Sequence, residues 1–125
     1  MNITDSEQKI LSLLWEEGNL STMEIVKKLG AETGWSKHAV ISFLHRMETK
    51  GIVAHVEQGR SKIYTPCVAK DAVARKQRFS LLNTFYQGKI GLMLSEMVAE
   101  NSLSGSEIDE LRKLLDNLHK SGEME

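Results

Sequence analysis

At 125 residues the chain has the size of one domain, or of two small lobes sharing a core, and it needs neither disulfide nor metal to fold. The single cysteine, Cys67, excludes an internal bridge, no apolar run approaches membrane-spanning length, and the acidic opening MNITDSEQ lacks the basic start of a secretory signal, so the expectation is a soluble cytoplasmic protein. The net charge of −1 hides an arrangement: −3 over residues 1–34, +3 over 35–65, +3 over 66–88 and −4 over 89–125, which predicts one positive surface between acidic ends.

The first helix opens at Thr4, which with Glu7 writes a capping box; Ile10, Leu11 and Leu14 share one face, and Gly18 is placed to stop it. Ser21 with Glu24 opens a second helix, stapled by Leu20 and Ile25 and expected to stop at Gly30. A third begins at Ser36, whose hydroxyl can cap although Ala39 completes no box, and should end near Gly51; Trp35 and Val40 can form its staple. Trp15 is expected in the core.

The period then changes. IVAHVE and SKIYT are short β-branched stretches around Gln58, Gly59 and Arg60, a hairpin with a glycine-bearing turn, and Pro66 ends its second strand. A long helix follows from about Lys70 to Gln87, interrupted by Gly88 and Gly91, then another holding Leu92, Met93, Leu94, Met97 and Val98. NSLSGSE supplies a loop and a capping box, Ser104 with Glu107, before a last helix with Ile108, Leu111, Leu115 and Leu118 at spacings of three and four.

Three helices and a two-stranded hairpin, in that order, are the parts of a winged helix-turn-helix, whose third helix lies in the DNA major groove while the hairpin reaches the backbone or minor groove. The stretches SEQKILSLLW, LSTMEIVKKL, WSKHAVISFLHRMETKGIV and EQGRSKIYTP resemble the successive signatures of the penicillinase repressor family, over nearly the whole chain. The expected fold is mainly α with a small β-hairpin: a winged helix-turn-helix DNA-binding domain over residues 1–68, then a helical dimerisation region over 69–125. The resemblance implies a homodimeric repressor on double-stranded operator DNA, with the C-terminal helices exchanging apolar faces. The bare sequence agrees in part, because residues 69–125 carry more apolar stripe than so short a segment can cover; folding back on the N-terminal lobe is the other reading. Phe79, Leu82, Phe85, Leu94, Met97, Val98, Leu111, Leu115 and Leu118 are the dimerisation candidates.

The third helix carries two faces. Val40, Phe43 and Met47 form one; His38, Ile41, Ser42 and His45 lie opposite, with no carboxylate among them and Glu48 only at the border. Lys37 and Arg46 can neutralise phosphates, Ser42 and His45 can bond base edges, and Ile41 suits a thymine methyl. Ser36 at the helix start and Arg60 and Lys62 on the wing complete the DNA-contact candidates. Ile41 can equally be an ordinary half-buried aliphatic, and Lys62 can serve hairpin solubility. Family members usually have a polar residue at Ile41 and a basic one at His38, so operator preference is expected to differ.

No enzyme, metal site or cofactor is expected. Four dispersed histidines and one cysteine make no ligand pair, and no nucleophile elbow or phosphate loop is present. The ending NLHKSGEME lacks the cysteine motif of copper-responsive family members, and Cys67 is expected to be packed. The resemblance further implies control of β-lactam resistance genes, with release through a membrane sensor-protease pathway that cleaves between the last two helices. The family bond is Asn-Phe; the matching stretch VAENSLSG offers Asn101-Ser102, which a plain polar loop also explains. A winged-helix protein-interaction module is the alternative function.

Overall fold

A computed structural model describes residues 2–123, with side chains described to residue 122. The elements run α1 (Asp5–Glu17), β1 (Leu20–Ser21), α2 (Thr22–Thr33), α3 (Lys37–Thr49), β2 (Val53–Gln58), β3 (Ser61–Pro66), α4 (Lys70–Tyr86), α5 (Ile90–Glu100) and α6 (Gly105–Glu123). They form two compact units that divide between Gln77 and Arg78, inside α4.

In the first unit, both predicted N-terminal capping boxes form. Thr4 Oγ1 accepts from the Glu7 amide and Glu7 Oε1 accepts from the Thr4 amide; Ser21 and Glu24 repeat the exchange at α2. The core is Ile10, Leu11 and Leu14 of α1, Ile25 and Leu29 of α2, Val40, Leu44 and Met47 of α3, closed from the sheet side by Leu20, Ile52, Val53 and Tyr64. Each helix thus contributes the stripe its spacing predicts, and the opposite face of α3 is left outside.

The sheet has three strands in the order β1-β3-β2, all antiparallel, where the sequence predicts two. Leu20 pairs with Tyr64 and Ser21 with Ile63, so the chain entering α2 is bonded to the wing. The hairpin turn is the pair Gly59-Arg60, with glycine at φ 64 in the first central place, as a type II′ turn requires.

Four expectations are corrected. Helix α2 continues through Gly30 to Thr33 and ends at Gly34, which takes the left-handed conformation and donates its N–H to the Gly30 carbonyl. Gly91 does not interrupt a helix but lies in α5; the break is made by Gln87 and Gly88, both at positive φ. Trp15 is half-buried at the core margin, because its indole N–H needs an acceptor and finds the Val68 carbonyl at 2.9 Å. Cys67 is exposed rather than packed; its amide bonds to the Ile52 carbonyl while its side chain faces outward.

A long-range ion pair fastens the end of α3 to the start of α1. Lys50 Nζ lies 2.7 Å from Oε1 of the fully buried Glu7 and 2.9 Å from the Asn2 carbonyl. Burial pushes the Glu7 carboxyl up, but hydrogen bonds from Lys50 and Thr4 outweigh it and hold its pKa below the ordinary 4.5. A depressed carboxylate stabilises the fold above its unfolded pKa and loses that contribution as pH falls through the folded value. Stability is therefore expected to decline as pH drops below about 4.5. Glu7→Gln should cost about 2 kcal/mol at pH 7, by stranding the Lys50 charge, and flatten that decline. Urea unfolding of both proteins at pH 7 and pH 4 measures it; parallel losses on acidification would contradict it.

The second unit holds the end of α4 with α5 and α6. The Tyr86 hydroxyl donates to the Glu96 carboxylate, and that bond is the main cause pushing its pKa above the ordinary value. At α6, the Glu107 amide donates to Ser104 Oγ at 3.2 Å, the backbone half of the expected box. Of the dimerisation candidates Leu82 is half-buried; Phe79, Phe85, Leu94, Met97, Val98, Leu111, Leu115 and Leu118 are all exposed in the single chain.

Candidate nucleic-acid interface

The outer face of α3 is set by its start and its packed side. Ser36 caps it, its Oγ accepting from the Ala39 amide at 3.2 Å, so this hydroxyl is already engaged. Lys37, His38, Ile41, Ser42, His45 and Arg46 are then exposed along one side. Arg46 is held at the flank, its guanidinium 5.8 Å from the Phe43 ring centre, and Phe43 in turn tilts against Trp35 at 4.9 Å.

A cleft gathers part of this face with two other elements. It is lined by Ser21, Thr22 and Met23 at the start of α2, by Lys37 and Ile41 of α3, and by Arg60, Ser61, Lys62 and Tyr64 of the wing. Three cationic side chains meet there, and among the described residues no carboxylate lines it. The structure thus brings Lys37, Ile41, Arg60 and Lys62 together; His38, Ser42, His45 and Arg46 stand outside the cleft on the same helix. Lys62 also faces Glu57 across the hairpin register.

The one acid bordering the face is occupied. Glu48 Oε1 is bonded to His55 Nδ1 on β2, and the His55 ring leans on Tyr64 at 5.4 Å, so its negative charge is tied to the sheet. Burial, and then the Glu48 charge, push the Tyr64 phenol above its ordinary value. This Glu48-His55-Tyr64 link joins helix to wing and was not legible in the sequence, since it depends on how α3 packs against the hairpin, not on a local spacing. Met23 was missed too, although a signal exists: it lies two residues before Ile25, on the side of α2 opposite the buried stripe.

Among the described residues no group of histidine, cysteine and acidic side chains is arranged to hold a metal, and no helix is long and apolar enough to cross a membrane. Asn101 and Ser102 lie exposed between α5 and α6; Asn101 caps α5 with extended backbone, its amide and side-chain nitrogen both bonding to the Met97 carbonyl.

A three-helix unit with a capped, outward-facing third helix beside a short hairpin defines a winged helix-turn-helix protein. The chain belongs to the penicillinase repressor family, whose pattern it matches over residues 3–117. It is 31% identical over 123 residues to the penicillinase repressor of Bacillus licheniformis, covering 98% of this chain and 95% of that one. Identity to the methicillin resistance regulatory protein MecI of Staphylococcus aureus is 22%, over 90% of this chain and 92% of that one. Among solved structures, the Bacillus licheniformis repressor BlaI, monomeric and in complex with a half-operator, superposes with a TM-score of 0.51 at 28% identity, covering 57% of this chain and 87% of that one.

Proposed function

We propose that this protein is a cytoplasmic transcriptional repressor without enzymatic activity that binds an inverted-repeat operator as a homodimer. The observation that carries the reading is the cleft where the start of α2, the outer face of α3 and the wing meet. It holds three cations and, among the described residues, no acid, on a chain of a repressor family. Phosphates supply the charge that Lys37, Arg60 and Lys62 neutralise; His38, Ser42 and His45 are then available to base edges, with Arg46 on the flank. Residues 1–68 are the DNA-binding part and 69–125 the dimerising part in this reading, supported by the exposed apolar side chains of α4, α5 and α6. Selection from a pool of genomic duplexes tests it: a palindromic site should be enriched. Enrichment of none would overturn the reading in favour of a protein-interaction module.

The regulated genes in this reading are those of β-lactam resistance, as the names of the relatives suggest. Release comes by cleavage at Asn101-Ser102 downstream of a membrane sensor-protease. Extended, exposed backbone between two helices supports this, as a protease needs such a strand. β-Lactam treatment of producing cells should yield a chain ending at Asn101; an intact chain during induction would sink the cleavage.

A further inference from the structure

Among the described residues of the first unit, three large apolar side chains are exposed: Met23, Ile41 and Val56. Two of them, Met23 at 46% and Ile41 at 43%, line the same cationic cleft from different helices. An isolated exposed aliphatic needs no explanation, but two converging in a cleft with Lys37, Arg60 and Lys62 specify an occupant that is anionic and also presents an apolar group. Duplex DNA meets both conditions in the major groove, where the thymine C5-methyl is the apolar group and the phosphates flank it.

We infer that Met23 is a specificity-determining residue, forming with Ile41 one apolar surface over a thymine methyl. This rests on the DNA-binding reading above and adds α2 to the elements that read sequence. The position of Met23 fits: it is in the first turn of a helix fixed to the wing through the Leu20-Tyr64 pairing, so its placement against α3 is set by the sheet. Its unbranched thioether can adapt to the methyl edge without forcing the backbone.

The test uses the duplex that selection enriches, replacing each thymine in turn by uracil, which removes the methyl alone. For the wild type, one thymine in each half-site should lose about fourfold in affinity, the worth of roughly one buried methyl. In Met23→Ala that thymine should become nearly insensitive, as in Ile41→Ala, while Met23→Leu keeps the sensitivity. Thermal unfolding should be unchanged in all three, since both side chains are exposed. If the uracil scan of Met23→Ala matches the wild type at every position, Met23 touches only sugar or nothing and the inference is overturned. If no duplex is enriched, or an acidic peptide binds instead, the DNA-binding reading itself has failed, which is a distinguishable result.

Discussion

Replacing Leu115 and Leu118 together by lysine is expected to leave a folded monomer that has lost roughly 100-fold or more in affinity for the full palindrome. The two side chains are 58% and 59% exposed in the single chain and lie on the apolar stripe of α6 that also carries Ile108 and Leu111. Both side chains are more exposed than covered within the chain, so helix content should be retained. In the proposed dimer lysine would prevent burial of the stripe against a second copy, where two unpaired charges per subunit would be forced out of water. Two half-sites bound by one dimer gain from the high effective concentration of the second domain, and a monomer forfeits that gain. Affinity for an isolated half-site should therefore be unchanged. Sedimentation of the wild type as a monomer at micromolar concentration, or undiminished palindrome binding by the variant, would count against the dimer.

The second large effect contrasts two residues three positions apart on α3. Leu44 is fully buried among α1, α2 and the sheet, and Leu44→Ala is expected to cost about 3 kcal/mol through lost transfer energy and the cavity left behind. Against a domain stability on the order of 5–15 kcal/mol, that is a large fraction, and DNA binding should fall with the folded population. Ile41→Ala should change stability by less than about 0.5 kcal/mol, because its side chain is largely outside the core. Its loss should appear at one thymine-containing position, with the salt dependence of binding unaltered. Chemical denaturation and binding to single-base variants of the site separate the two. Equal stability losses would mean that α3 is packed differently.

Much of this architecture was legible in the sequence because it is written locally. A capping box occupies four residues, and a helix stripe repeats every three or four, so Thr4 with Glu7, Ser21 with Glu24, and the Val40-Leu44-Met47 stripe announce themselves. The end of α2 was not legible: its apolar pattern stops at Leu29, and periodicity does not distinguish Gly30, which continues the helix, from Gly34, which ends it. Strand β1 has only two residues, too few for alternation, and exists because β3 offers it partners. The site shows the same division. The outer face of α3 could be drawn from spacing alone, whereas the cleft depends on the wing and α2 converging on it.

Lys50 illustrates a further limit. It belongs to the basic stretch 35–65, yet its ammonium is bound to Glu7 and the Asn2 carbonyl. It secures the N-terminal segment to the end of α3. Charge counted along the chain locates a basic region, and only packing decides which cations remain available to a ligand.

The most direct test of the central claim, that the cleft between α2, α3 and the wing holds DNA phosphates, is the salt dependence of binding to the selected palindrome. The logarithm of the wild-type affinity should fall linearly with the logarithm of salt concentration, and Lys37→Ala or Arg60→Ala should each lessen the slope by about one unit per contact removed. Slopes that stay unchanged in both variants would contradict the account.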